Sequence, residues 1–212
     1  MSLEVDKNRR PISSRDTSWA RSITNTLIKV KMTPNSISVW SIIFALFGAA
    51  YVTCYPQMWG FVVLALTIQL RLLCNLFDGM VAIELNQSNP LGKIYNEFPD
   101  RITDSIFLIV AGYVSGHTSL GMFAALVAAF TAYIRVFGGS VGLEQKFNGI
   151  MAKQHRMAVL SIALLIQQVE FFYNQTFYAT LSALVIISVG TIITCITRTI
   201  AIGKNLENNN AK

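Results

Sequence analysis

Acidic side chains are concentrated in one short part of the chain. Five of the 11 Asp and Glu residues fall between positions 78 and 104, and these are Asp78, Glu84, Glu97, Asp100 and Asp104. Only 13% of all residues are charged, and carboxylates are costly in apolar surroundings. Because carboxylate oxygens ligate hard divalent cations and act as general bases, this cluster is the first candidate for a functional site.

Residues around these acids fall at helical spacing and predict two stripes. The first stripe has offsets of 4, 7 and 11 residues and consists of Arg71, Asn75, Asp78 and Ala82. The second stripe advances in steps of four and consists of Gly92, Asn96, Asp100 and Asp104. Because the segment between them is short, we expect adjacent antiparallel helices whose stripes face each other.

Two interpretations fit this arrangement. Oxygen ligands on two facing helices suit Mg²⁺ or Mn²⁺, and Gly79 and Gly92 would let a ligand or a helix backbone approach closely. The alternative is an interhelical polar network that holds the helices together, formed by Arg71, Asn75, Asp78 and Asp100. Spacing alone supports both.

The segments that carry these stripes are apolar. The chain has 212 residues, of which 53% are hydrophobic, whereas an ordinary soluble domain has roughly 25% charged residues. This composition excludes a disordered protein, a coiled coil and a soluble nucleic-acid binder, despite a formal net charge of +6. It indicates a polytopic membrane protein that has the lipid bilayer, and no nucleic acid, as a partner.

Six apolar runs are long enough to cross a bilayer, at about 20 residues per helix. They are Ser36–Cys54, Met58–Phe77, Ile94–Tyr113, Ser119–Phe137, Met157–Phe172 and Tyr178–Ile200. We therefore predict an all-α fold with six transmembrane helices in one domain over residues 34–203. Residues 1–14 and 204–212 are predicted to be polar tails. Residues 15–33 are predicted to be an amphipathic juxtamembrane helix, whose apolar face consists of Trp19, Ile23, Leu27 and Val30.

The basic residues predict the orientation of these helices. All 17 Lys and Arg residues lie in the N-terminal arm, the even-numbered connections, the C-terminal tail or the span ends that face them. The positive-inside rule then places both termini in the cytoplasm, which agrees with an even number of spans. The two acidic stripes meet near the same surface, so we expect the site to be cytoplasmic.

The acidic segment resembles the signature of a known family. Residues 75–83 read N-L-F-D-G-M-V-A-I, and after eight residues 92–100 read G-K-I-Y-N-E-F-P-D. Their spacing is similar to the CDP-alcohol phosphotransferase signature, D-x2-D-G-x2-A-R-x8-G-x3-D-x3-D. The stretch T-P-N-S-I-S at 33–38 resembles the start of the first span in that family. Six spans, a preceding amphipathic helix and a basic fourth connection extend the resemblance over most of the chain.

Three positions depart from the signature. Asn75 and Asn96 replace the first and third Asp, and Ile83 replaces the Arg. The resemblance implies that Asp78 and Asp100 ligate one or two Mg²⁺ or Mn²⁺ ions, and that Asp100 is also the general base. Asn75 and Asn96 would contribute uncharged amide oxygens. Replacement charge would come from Glu97 or Asp104, and the pattern indicates a divergent branch of the family.

The resemblance also implies residues that bind the donor or the acceptor. Small residues near the ions would be Gly79, Ala82 and Gly92, and basic residues near the phosphates would be Arg71, Arg135, Lys153 and Arg156. A topological explanation is the alternative for the basic residues, because Lys and Arg gather on the cytoplasmic side of any membrane protein.

The implied function is that of an integral membrane transferase in phospholipid biosynthesis. It would move a phosphatidyl, or similar substituted phosphoryl, group from a CDP-linked lipid to an alcohol acceptor and release CMP. The implied setting is a homodimer in a bacterial inner membrane. Two alternatives stay open: a non-catalytic relative that binds a nucleotide-lipid, and a small transporter, which a site at one face rather than the midplane disfavours.

Overall fold

The computed structural model of the chain describes residues 17–85, 92–143 and 149–210, apart from the side chains of Lys93, Asn96, Asn209 and Asn210. The predicted N-terminal tail and the predicted ligand side chain of Asn96 therefore lie outside the described residues.

The described residues are helical from end to end, with short turns between the helices. In chain order they form α1 (Ser18–Lys29), α2 (Pro34–Cys54), α3 (Phe61–Glu84), α4 (Gly92–Val114), α5 (Thr118–Ser140), α6 (Lys153–Asn174) and α7 (Tyr178–Asn210). A kinked turn, Pro56–Gly60, precedes α3, with Trp59 in the left-handed region at φ 60°. The all-α prediction is confirmed for this part of the chain, and each of the six apolar runs lies in a helical segment.

Five helical segments are long and apolar enough to span a bilayer. They are Pro34–Cys54, Pro56–Glu84, Thr118–Ser140, Lys153–Asn174 and Tyr178–Asn208. The remaining apolar run lies in α4, where five of the 23 residues are charged and all five fall in its first 13 residues. The sequence-based count of six spans therefore stays a prediction for α4, because charge interrupts the apolar length that a span needs.

Helix starts are fixed by local hydrogen bonds near the functional residues. The Ser36 N–H donates to the Thr33 hydroxyl (3.2 Å), and the Thr33 N–H donates to the Ser36 hydroxyl (3.1 Å). This reciprocal capping box, followed by Pro34 in the first turn, begins α2 at a defined residue. At the other end of the bundle, the Glu170 carboxylate accepts from the backbone N–H of Tyr178 (2.7 Å) and caps α7.

One apolar core contains residues from each of the helices α2 to α7, and a second lies between α1, α2 and α3. Fully buried members of the first core include Phe61, Leu64, Ile68, Phe107, Leu108, Met157, Leu160, Leu164, Leu184 and Ile187. The second core packs Ala20 of α1 and Ile37 of α2 on residues of α3 between Cys74 and Val81. The chain thus buries apolar side chains along the bundle and leaves one end for polar groups.

The C-terminal boundary differs from the sequence-based prediction. Residues 204–210, predicted as a polar tail, continue α7 as helix. The Asn205 side chain donates to the Ala201 carbonyl (2.7 Å), and the segment contains Lys, Leu and Glu, which favour helix. The apolar pattern ends before the helix does because polar residues also support helix at a solvent-facing end.

Close packing of α4 on α5 depends on two facing glycines. A Cβ atom on Gly121 would lie 2.6 Å from the Leu108 carbonyl oxygen, and one on Gly112 would lie 2.8 Å from the Gly121 Cα. A side chain at either glycine would force the two helices apart, because the nearest neighbours are backbone atoms.

We predict that Gly121→Ala destabilises the fold by about 1–3 kcal/mol, because the added methyl overpacks this crossing. The measurement is the apparent melting temperature in detergent. Gly203→Ala on α7 is the matched control, because a Cβ there meets no atom within 4 Å. An unchanged melting temperature for Gly121→Ala would contradict the close packing.

Candidate active site

The predicted site residues gather where α3 ends and α4 and α6 begin. Arg71, Asn75 and Asp78 come from α3, Asp100 and Asp104 from α4, and Lys153 and Arg156 from α6. We call this group of side chains the charged cluster. The antiparallel course of the helices brings these residues together, since the end of one helix lies beside the start of the next.

The Arg71 guanidinium connects α3 to α4 at the centre of the charged cluster. Its side chain is 0% exposed, and its Nη2 atom lies 2.8 Å from Asp100 Oδ1 and 2.8 Å from Asp104 Oδ1. Its Nε–H donates to the Thr103 hydroxyl (2.8 Å). A planar guanidinium suits this position because it donates in several directions from one rigid group.

The Asp100 carboxylate is held by residues of α3 and α6 and by its neighbour on α4. Its Oδ1 accepts from Arg71 and from the Asn75 amide nitrogen (2.9 Å), both on α3. Its Oδ2 contacts the Lys153 ammonium at the start of α6 and lies 3.8 Å from the Arg101 guanidinium on α4. The carboxylate is therefore fixed in orientation and surrounded by positive charge.

Asp104 extends the cluster one helical turn deeper. It lies between Arg71 and Arg156, whose Nη2 is 3.5 Å away, and it is 3% exposed. Arg156 is also buried and donates to the Met151 carbonyl (3.0 Å) and to the Thr131 hydroxyl (3.4 Å). These contacts make Asp104 part of the ion-pair network. Its negative charge therefore compensates Arg71 and Arg156 rather than a bound metal cation.

Asp78 has a different environment. Its carboxylate is buried and accepts the Ser38 hydroxyl of α2 at 2.7 Å. Within the described part of the chain, no cationic side chain lies within 4.0 Å of it. A buried carboxylate without a paired cation is costly, so this position favours a bound positive charge.

Glu97 and Arg135 form the outer part of the site. Arg135 Nη2 lies 2.6 Å from Glu97, and Arg101 Nε lies 3.2 Å from the same carboxylate. Arg135 also lines a cavity of about 250 Å³ between α5 and α7, together with Gly138, Gly149, Arg198 and Asn205. Glu97 is thus engaged by two arginines and does not contribute to the group around Asp78.

A divalent cation fits the donors at Asp78 and Asp100, although the described residues contain no preassembled group of three or more His, Cys, Asp or Glu ligands. The amide oxygen of Asn75, one turn before Asp78 on α3, adds a neutral donor. An all-oxygen set of this kind suits Mg²⁺ or Mn²⁺. The buried, unpaired charge of Asp78 is the observation that supports the fit.

The charged cluster and the outer part of the site are together cationic without such an ion. Their four carboxylates are Asp78, Glu97, Asp100 and Asp104, and their five cations are Arg71, Arg101, Arg135, Lys153 and Arg156. The formal balance is +1, in buried surroundings where charges interact strongly. The arrangement therefore favours an anionic ligand that brings its own cation, as a metal-bound diphosphate does.

The structure brings together most of the predicted residues and adds others. Gly92 begins α4, and a Cβ there meets no described atom within 4 Å, so helix packing does not explain that glycine. Ala82 lies half-buried one turn after Asp78. The residues that spacing did not single out are Ser38, Arg101, Thr103, Thr131 and Arg198. Of these, only Ser38 had a sequence signal, as the last residue of T-P-N-S-I-S.

The apolar helices and the charged end of the bundle define an integral membrane protein with a buried polar site. Residues 31–199 match the model of the CDP-alcohol phosphatidyltransferase family. The chain belongs to this family, which the signature spacing had predicted.

Two relatives at the sequence level are similar over part of their lengths. Archaetidylinositol phosphate synthase of Aeropyrum pernix is 34% identical over 104 residues, which are 47% of this chain and 53% of the relative. The match thus spans about half of that enzyme. The inner membrane protein YnbA of Escherichia coli is 24% identical over 137 residues, which are 64% of this chain and 68% of YnbA.

A solved structure has the same fold. Phosphatidylinositol phosphate synthase of Mycobacterium tuberculosis with CDP-DAG bound has a TM-score of 0.73 at 18% identity, over 88% of this chain and 94% of that one. A structure of the same enzyme with manganese and citrate has a TM-score of 0.72 at 18% identity, over 86% of this chain and 88% of that one. At this identity the likeness concerns the fold.

We predict that Arg71→Met destabilises the protein by about 3–5 kcal/mol, because Asp100 and Asp104 lose their shared buried partner. The measurement is the free energy of unfolding in mixed micelles. The double variant Arg71→Met/Asp104→Asn should recover part of the loss, since it removes one of the uncompensated carboxylates. Strictly additive losses would contradict a direct Arg71–Asp104 interaction.

Proposed function

We propose that the chain transfers a substituted phosphoryl group from a CDP-linked lipid to an alcohol and releases CMP. The observation that carries this proposal is the placement of Asp78 on α3 and Asp100 on α4 at the signature spacing, with Asp100 held by Asn75 of α3 and Lys153 of α6. Family membership and the CDP-DAG complex of the structural relative support it.

The cation-binding residues are proposed to be Asp78 and Asp100, with amide oxygens from Asn75 and Asn96. A bound Mg²⁺ or Mn²⁺ neutralises charge on a diphosphate and holds it in place. The manganese complex of the structural relative supports the choice of a divalent ion. Because two signature positions are Asn, the chain supplies fewer negative charges, and these match one divalent ion better than two.

Asp100 is proposed as the general base. Asn75, Arg71 and Lys153 hold its carboxylate in one orientation, so that an incoming hydroxyl would meet an aligned acceptor. Lys153 and Arg101 reach the same carboxylate from different sides. Their positive charge would position the donor phosphates near the base and would stabilise negative charge that develops in the transition state.

The alcohol is proposed to bind in the cavity lined by Arg135 and Arg198. Guanidinium groups bind phosphate through paired hydrogen bonds, which favours a phosphorylated alcohol. The relatives with named activities are synthases of archaetidylinositol phosphate and phosphatidylinositol phosphate. A lipid that carries inositol phosphate is therefore the first product to seek.

The proposed setting is a six-span protein with the charged cluster, α1 and both termini on the cytoplasmic side of a bacterial inner membrane. The distribution of Lys and Arg supports this orientation, and α4 would be the sixth span, with its charges turned to the cluster. The family resemblance also implies a homodimer, which a mass measurement of the detergent-solubilised chain tests.

We predict that Asp100→Asn lowers CMP release by at least about 100-fold, because the hydroxyl proton loses its acceptor. The assay is CMP release from CDP-diacylglycerol in nanodiscs with Mg²⁺ and a panel of alcohols that includes inositol phosphate. Glu84→Gln is the matched control, since this exposed acid at the end of α3 loses the same charge away from the cluster. Full activity of Asp100→Asn would refute the assigned base.

We predict that a chelator stops turnover and that Mg²⁺ or Mn²⁺ restores it. Asp78→Asn should need a higher concentration of the ion, because the site loses its unpaired carboxylate. If no alcohol gives CMP release at any ion concentration, the protein is a non-catalytic relative. Donor binding without turnover, measured by calorimetry, would then identify the alternative function.

A further inference from the structure

Helix α1 has two different faces. Its inner face is closed against the bundle, where Ala20 and Thr24 are almost fully buried. Its outer face leaves Trp19 45% exposed and Ile23 41% exposed. An apolar face of this kind on a short helix beside a bundle suits insertion at the level of lipid headgroups.

The exposed surface of α1 also carries basic residues, which lie away from the helical stripe of Trp19 and Ile23. Arg21, Lys29 and Lys31 are exposed, and the sequence from 17 to 33 contains no acidic residue. Basic residues next to an apolar face are attracted to anionic headgroups, whereas a zwitterionic surface offers no net attraction. The charge pattern therefore matches an anionic lipid surface.

Helix α1 contacts the residues on both sides of Asp78. The Thr24 hydroxyl lies 3.6 Å from Met80 Sδ, and the Trp19 ring meets the Phe77 ring edge-on with centroids 6.2 Å apart. Phe77 precedes Asp78, and Met80 follows Gly79. A displacement of α1 would thus be felt at the helical turn that presents the proposed cation ligand.

The connection from α1 to α2 is rigid. The Lys31 N–H donates to the Ile28 carbonyl (2.9 Å) and the Met32 N–H to the Leu27 carbonyl (3.0 Å), with Lys31 in the left-handed region at φ 59°. This is the hydrogen-bond pattern of a Schellman motif. Two residues later α2 begins, and it carries Ser38, the hydroxyl partner of Asp78. Helix α1 is therefore linked to Asp78 in two ways, through its contacts with α3 and through the start of α2.

We propose that α1 is a docking element for anionic phospholipids, and that its docking orders the Asp78 site. An anionic bilayer surface would hold α1 through Arg21, Lys29 and Lys31, while the contacts of α1 with α3 fix the turn at Asp78. The docking step stands on the geometry of α1 alone, and the ordering step rests on the proposed transferase function.

The docking step is tested by Trp19 fluorescence in nanodiscs, in a Trp40→Phe/Trp59→Phe background that leaves one tryptophan. Brominated anionic lipid and brominated zwitterionic lipid are compared at equal mole fractions. We expect at least about twofold stronger quenching by the anionic lipid, because it accumulates around α1. The preference should be lost in Arg21→Gln/Lys29→Gln/Lys31→Gln and kept in Arg21→Lys/Lys29→Arg/Lys31→Arg. Equal quenching by the two lipids would overturn the proposal.

The ordering step is tested by CMP release at saturating donor as the anionic lipid fraction rises. We expect the turnover of the parent protein to increase at least about threefold, and the Gln variant to respond weakly. Lys204→Gln, which removes one exposed charge at the far end of the sequence, should respond like the parent. A rate that ignores the anionic fraction would overturn the ordering step, whereas absent CMP release with normal quenching would refute the proposed function alone.

Discussion

The arrangement of the bundle depends on one buried guanidinium. Arg71 lies in the middle of an apolar helix with 0% exposure, and such a charge is tolerated only with full compensation. Asp100 and Asp104, one turn apart on α4, supply that compensation at 2.8 Å each. This requirement fixes how α3 and α4 face each other. It also explains why α4 is too charged for an ordinary span, since its polar residues complete a buried network.

The need to compensate buried arginines gives the acidic residues of the site different roles. Asp104 compensates Arg71 and Arg156, and Glu97 compensates Arg101 and Arg135. Asp100 is shared between Arg71 and Lys153, while Asp78 accepts the Ser38 hydroxyl. The contacts of Arg71, Asn75 and Asp100 agree with the network interpretation of the sequence, and the metal-binding interpretation stays a prediction for Asp78. The carboxylate with the least compensation lies where the family signature expects a cation ligand.

The sequence could predict what periodicity and composition encode. Six helical runs, the stripe through Arg71, Asn75 and Asp78, and the family followed from local spacing. Contacts such as Ser38 with Asp78 depend on how α2 crosses α3, and residues 40 apart in the chain carry no local record of it. The sixth span stays a prediction at α4 for a related reason, because hydropathy does not distinguish charges that face lipid from charges that face a partner. The end of α7 was missed because polar residues also form helix.

The asparagine at position 75 changes the physics of the signature. A carboxylate there would repel Asp100 until a cation arrived, since like charges in a buried site oppose each other. The Asn75 amide instead donates to Asp100 at 2.9 Å, so a neutral hydrogen bond links α3 to α4 at this point. The substitution thus replaces the mutual repulsion of two carboxylates with a hydrogen bond that orients Asp100. A chain with this asparagine therefore holds α3 against α4 without the counter-charge that two facing carboxylates would need.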